Sequence, residues 1–232
     1  MTFARLPSAK RSSTVYHPPN KVYYTYIYGM KKVTIDIVSD IICPWCYIGK
    51  ARLERAIASV ADSVEVTVKM RPFLLYPQIP KGGIPKDHFK SVKKPGLGSA
   101  LRAEAKKENI VIDYSKIDRI PNTLEAHRLM YLCPADKKNE LGKILFRKYF
   151  EEGQDVEDES VLTAAAKEAG LSAATITQFL ETADGATEIE AEIAELKEEG
   201  IRVVPSFILN GEHVVPGAQP MENFQRYFAR LK

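Results

Sequence analysis

The sharpest hydrophobic pattern begins at Val33, where Val33, Ile35 and Ile37 alternate with Thr34 and Asp36 before an apolar run reaches Ile41 and Ile42. A period of two predicts a strand with one buried side. Leu53, Ala56, Ile57 and Val60 then recur at helical spacing, and Val64, Val66 and Val68 return to alternation. This stretch reads as strand, helix and strand, with the first strand-to-helix turn at Cys43-Pro44-Trp45-Cys46.

Residues 71–96 hold Pro72, Pro77, Pro80, Gly82, Gly83, Pro85, Pro95 and Gly96, which predicts a long irregular connection. Helical patterns follow at 98–109, at 122–133 with Asn122 as N-cap and Glu125 three residues on, and at 138–152 up to Gly153. Three more are expected at 160–169 before Gly170, at 173–183, and at about 186–199 before Gly200. Near the C-terminus, residues 206–209 and 212–215 flank Asn210-Gly211, a dipeptide suited to a two-residue hairpin because both positions tolerate positive φ. Met221, Phe224, Phe228 and Leu231 mark one face of a last helix. The expected architecture is α/β: sheet at the front and back of the chain, with a helical insertion at about 85–199.

Composition narrows the class. With 232 residues, 45% hydrophobic and 27% charged, the chain can bury one large core, so a single domain with an insertion is expected. Three cysteines cannot staple a fold of this size, and no apolar run approaches the roughly 18 residues of a membrane helix. The net charge of +3 comes from the start of the chain: Arg5, Lys10, Arg11 and Lys21 lie in residues 1–30 with no acid, which leaves the rest near −1. That balance gives no basic footprint for nucleic acid. Residues 1–30 also carry Ser8, Ser12 and Ser13 and show no periodicity, so they read as a flexible extension ahead of a domain at 31–232. A mitochondrial transit peptide is the alternative reading, whereas the aliphatic core and small-residue cleavage site of a secretory signal are not seen. The expected compartment is the cytoplasm, with the mitochondrion as alternative.

Two thiols at i and i+3 opening a helix are near enough to join across one turn. Cys43 meets unpaired backbone N–H groups and the positive end of the helix dipole, which favour a thiolate. Pro44 suits the first turn, where its missing N–H removes no helix bond. Cys46, one turn in, is more shielded, so Cys43 is assigned as nucleophile and Cys46 as its resolving partner. A zinc half-site is the competing reading, but Cys133, His17, His88, His127 and His213 offer no second paired set; a purely structural disulfide is another. Val204-Pro205-Ser206 is a second signal, since proline before a strand is either an ordinary strand start or a cis-proline in a tight turn.

Taken in order, these motifs resemble the DsbA-like branch of the thioredoxin fold, and within it the FrnE type, related to 2-hydroxychromene-2-carboxylate isomerases and kappa-class glutathione transferases. The resemblance rests on residues 35–40 leading into Cys43-Pro44-Trp45-Cys46-Tyr47-Ile48-Gly49, on Pro72-Phe73-Leu74 with Pro77, and on Asn122-Thr123 with Ala126-His127-Arg128. Val204-Pro205 leading to Gly217-Ala218-Gln219 completes it. It implies a thiol–disulfide oxidoreductase with no bound cofactor and no metal, acting on a thiol-containing protein or small molecule, without nucleic acid or membrane. It implies that Pro205 is cis and sits opposite the sulfurs, with the Val204 backbone able to pair with a bound thiol peptide. Gly217, Ala218 and Gln219 match a loop that helps hold glutathione in relatives that use it, which makes glutathione a candidate co-substrate and a glutathione-dependent transferase or isomerase the alternative function. Those relatives commonly carry Ser where this chain has Cys43, a departure that favours dithiol chemistry. Trp45 lies between the thiols, where it can contact substrate, and the resemblance places His127 near the site. Cys133 falls on an apolar helix stripe with Ala126, Leu129 and Met130, and reads as a small buried hydrophobe.

Overall fold

The computed structural model describes residues 30–88 and 97–231. The expected N-terminal extension and the end of the irregular connection lie outside the described residues.

The alternating run forms β1 (Lys31–Ser39), and the helical spacing after it forms α1 (Pro44–Ala58). β2 (Val64–Pro72) then pairs parallel to β1, with Ile35 opposite Val68 and Ser39 opposite Pro72. The second strand is longer than its alternation predicts, because it follows β1 until Phe73 N–H meets Ser39 O at 3.1 Å. Past it lie β3 (Ile84–Pro85), a single 3-10 turn, and α2 (Leu97–Lys107). β4 (Arg119–Ile120) pairs with β3, an antiparallel contact of two residues on each side that leaves no periodic trace in the sequence.

Five helices follow: α3 (Leu124–Leu132), α4 (Ala135–Phe150), α5 (Glu159–Glu168), α6 (Ala173–Leu180) and α7 (Ala186–Glu198). Two starts differ from expectation. Asn122 stands one position ahead of the N-cap, which is Thr123; its Oδ1 accepts the Leu124 N–H at 3.0 Å and its amide donates to Ile79 O at 2.7 Å. The side chain thus builds a local turn that leads into the helix. α4 begins three residues early, directly after Pro134, whose fixed φ leads into the helix while Cys133 ends α3 in extended geometry. Gly153 after α4 has φ of 71°, and a Cβ there would stand 2.3 Å from Lys116 O, so only glycine fits.

The chain returns to the sheet as β5 (Ser206–Leu209) and β6 (His213–Pro216), joined through Asn210 and Gly211 with φ of 52° and 71°, and ends in α8 (Met221–Arg230). The strand order is β2-β1-β5-β6, with β5 antiparallel to β1. Val33, Ile35 and Ile37 turn to one face and meet Leu53, Ala56, Phe207, Phe224 and Phe228 from α1, β5 and α8. On the other side Val38, Phe73 and Ile208 pack on Leu196 of α7 and Ile201. A larger core joins the start of α1 to α3–α6 through Ile41, Cys46, Ile48, Leu129, Leu145 and Phe146. Among the described residues no helix is long and apolar enough to cross a membrane.

Arg128 clamps the helical layer. Its buried guanidinium donates to Asp184 O at 2.9 Å, Thr182 O at 2.7 Å and Glu125 at 2.5 Å, and lies 5.0 Å over the Phe179 ring. Arg128→Met leaves those carbonyls unpaired and is expected to lower stability by about 2–4 kcal/mol, read from the urea midpoint.

Candidate active site

The turn between β1 and α1 is set by backbone hydrogen bonds. Cys43 N–H donates to Asp40 O at 3.0 Å, and Cys43 O accepts from Cys46 N–H at 3.0 Å and Tyr47 N–H at 3.3 Å. Cys43 therefore occupies the N-cap of α1, ahead of Pro44, and Cys46 lies one turn inside. Both are free thiols and come within 3.3 Å of each other. Cys43 is 4% exposed and Cys46 is 0% exposed. Burial first, then the hydrogen bond to Cys43 and its charge, push the Cys46 thiol well above its ordinary range, while the Ser39 hydroxyl and the Asp40 backbone pull partly back.

Val204–Pro205 is a cis peptide. It approaches the pair from β5: the Cys43 thiol donates to Val204 O at 3.7 Å, and Pro205 is buried. Pro205 O in turn accepts the Gly217 N–H at 2.7 Å, which fixes the loop after β6 beside the proline. Arg52 of α1 reaches the same loop, its Nη1 donating to Ala218 O at 3.1 Å while Nε holds Glu108 at 3.0 Å and Nη2 bonds Glu104. Gly49 makes the approach possible: a Cβ there would lie 3.1 Å from Pro205 Cγ and 3.2 Å from the Phe207 ring. The fold thus brings Cys43, Cys46, Val204, Pro205, Gly217 and Ala218 together.

Three other sequence-predicted residues have more specific placements. Trp45 is half-buried and packs on the core that includes both sulfurs. Gln219 is engaged within its own loop, its Nε2 donating to Pro216 O at 2.5 Å and its Oε1 accepting from Asn223 at 2.6 Å. His127, 5% exposed, donates from Nε2 to Phe73 O at 3.0 Å and faces Asp40 Oδ1 at 3.7 Å. A carbonyl only accepts, so this contact puts a hydrogen on Nε2. Cys133 is buried in the helical core, where burial pushes its thiol up.

Sequence reasoning missed Ser39, Asp40, Arg52 and the tyrosines of the helical layer. Asp40 is fully buried, its Oδ2 accepting Leu75 N–H at 2.6 Å and its Oδ1 Ile42 N–H at 3.4 Å. An acid inside the apolar run 37–42 was the available signal, since a buried carboxylate needs partners. Tyr47 stacks on Phe146 with centroids 5.1 Å apart and donates to Glu151 at 2.7 Å. Burial first, then the Cys43 and Tyr76 charges, push the Tyr114 hydroxyl up to about 12.

The sheet order and the dithiol facing a cis-proline loop define a thioredoxin-type fold. The chain belongs to the DSBA-like thioredoxin domain family, whose model matches residues 34–229. It is 29% identical over 200 residues to YwbO of Bacillus subtilis strain 168, an uncharacterized protein, across 84% of this chain and 94% of that one. It is 30% identical to a probable DsbA oxidoreductase from Streptomyces coelicolor, with a TM-score of 0.75 over 86% of this chain and 92% of that one. A 2-hydroxychromene-2-carboxylate isomerase shares the fold at 17% identity and a TM-score of 0.68, over 85% and 95% of the two chains. Membership makes an enzyme of the thiol oxidoreductase kind the coarse reading.

Burial raises the pKa of Cys46 and Tyr47 above ordinary values of 9.0 and 10.0, so the folded chain holds protons that the unfolded chain releases first. Their contribution to stability is present below those values and is lost as pH climbs beyond them. Lys50, lowered by burial, works in the opposite direction, so the variant comparison isolates the effect. Between about pH 8 and about pH 10.5, the urea midpoint of reduced Tyr47→Phe is expected to fall less steeply than that of the parent.

Proposed function

We propose that the protein is a thiol–disulfide oxidoreductase of the FrnE type that works through Cys43 and Cys46 in the cytoplasm, with no bound cofactor. The observation that carries this reading is the pair itself: two free thiols within 3.3 Å at the start of α1, the inner one sealed and the outer one facing Val204 O.

In the reducing direction the Cys43 thiolate attacks one sulfur of a substrate disulfide and expels the other as a thiolate. Cys46 then attacks Cys43 sulfur, forms the Cys43–Cys46 disulfide and releases the second substrate thiolate. Two electrons leave the protein dithiol and reduce one substrate disulfide. The oxidising direction runs the same steps backwards, with substrate attacking Cys43 and Cys46 leaving. The short distance supports exchange because it lets Cys46 reach Cys43 with little rearrangement. Trp45, Val204, Gly217 and Ala218 form the rim that a thiol-bearing protein or small molecule meets, with Pro205 behind it. Glutathione is a candidate co-substrate that would be consumed or released, and neither nucleic acid nor a membrane surface takes part.

The test is insulin reduction with the two single variants. Cys43→Ser should fall to background, and Cys46→Ser should accumulate a mixed disulfide at Cys43, visible by mass spectrometry without reductant. Full turnover by Cys46→Ser would replace this reading with glutathione transfer, and turnover by Cys43→Ser would remove the dithiol assignment.

A further inference from the structure

Among the described residues β2 has a strand on one side only, β1, and so forms an edge of the sheet. Hydrogen bonds at the two ends of that ladder, Lys31 N–H to Ser63 O at 3.2 Å and Phe73 N–H to Ser39 O at 3.1 Å, fix which residues of β2 turn to β1. Alternate residues of a parallel strand share one neighbour, so Glu65, Thr67 and Lys69 direct their backbone groups inward. Val66 and Val68 therefore turn N–H and C=O outward, where no hydrogen bond among the described residues engages them. Their side chains are half-buried beside Ile57 and Val60 on the α1 face of the sheet. On the opposite face Glu65, Thr67 and Lys69 are exposed. An open strand edge of this kind is a template for another strand.

We propose that this edge is an interface between two copies of the chain, paired antiparallel about a two-fold axis at Thr67. The spacing of the charges carries the proposal. With Thr67 opposite its own counterpart, Glu65 of each copy falls opposite Lys69 of the other, so both charged pairs attract. Val66 falls opposite Val68, and their outward backbone groups become the hydrogen-bonded pairs. The charged positions become the pairs without hydrogen bonds, where side chains approach most closely. The row continues into each copy, because Lys32 holds Glu65 at 3.3 Å and Asp36 is the β1 neighbour of Lys69. Lys32, Glu65, Lys69 of the second copy and Asp36 of the second copy thus alternate in sign across one joint sheet. On the other face the half-buried valines of both copies meet and lose water contact. Because β1 and β2 run parallel, reversing β2 puts the two Cys43–Cys46 pairs at opposite ends of the joint sheet, with both substrate rims open. The contact is small, so association is weak and concentration-dependent. It does not depend on the dithiol reading above.

Sedimentation equilibrium of the full chain over a concentration series tests the interface. The parent should show a reversible monomer–dimer equilibrium. Glu65→Lys and Lys69→Glu each set like charges opposite one another at both pairs, and each should weaken self-association by at least roughly tenfold. Both residues are exposed and lie outside the thiol site, so thermal unfolding of the variants should stay close to that of the parent. Mixing the two variants restores opposite charges at both pairs, and a heterodimer of near-parental affinity should form. A monomeric parent, a dimer that neither substitution weakens, or variants that stay apart on mixing would each overturn the interface. In a monomeric parent, protection of the Val66 and Val68 amides from hydrogen exchange would assign the edge to the residues before Met30 instead of to a second copy.

Discussion

Helix α1 can press its first turn against the Val204–Pro205 loop only because position 49 has no side chain. A single methyl there would meet the Pro205 ring, the Phe207 ring and the Ala218 backbone at 3.1 to 3.4 Å, tighter than ordinary contact. The rest of the site depends on that approach. It brings Val204 O to Cys43 and allows Arg52, one turn further along α1, to reach Ala218 O. Close packing transmits such constraints, because a dense interior has little slack to absorb a shifted helix.

The site lies where two kinds of core meet. Behind α1, the strands supply β-branched and aromatic side chains that hold the helix at fixed height through Ile35, Ile37, Phe207 and Phe224. In front, the inserted helices cover the start of α1, with Tyr47 stacked on Phe146 and Phe150. The sheet fixes the position of the sulfurs and the insertion seals them from water. Sealing raises the energy of a Cys46 thiolate, while Cys43 stands at the N-cap of α1, at the positive end of its helix dipole. Two chemically identical residues three apart thereby acquire different environments, which suits one to meet substrate and the other to follow.

Much of this was legible in the residue pattern. Alternation at Val33–Ile37, the Cys43 to Cys46 spacing, Asn210-Gly211 and the glycines after the inserted helices each carry a local backbone demand, and local demands are written locally. Pro205 was readable only as a choice between two conformers, because a proline before a strand fits both, and the tertiary packing selected cis. Thr123 rather than Asn122 takes the N-cap position of α3, without a side-chain cap bond, while Asn122 accepts the Leu124 N–H from one residue earlier and ties the turn to Ile79 O, a contact with a distant segment.

The sequence by itself determined the order of the longer elements, though not the short pair β3 and β4, together with the pair of thiols and the turn that presents them, since these follow from side-chain periodicity and short-range backbone geometry. Only the tertiary structure decided which groups surround the pair: Asp40 held by Leu75 N–H, Arg52 bridging to Ala218, Gln219 turned onto Pro216 and Asn223, and Ser39 left without a partner. Each of these pairs or absences joins segments far apart in the chain or depends on whether a buried donor finds an acceptor. Hydrogen-bond satisfaction in a low-dielectric interior is set by the whole packing around a group and is not encoded in its immediate neighbours.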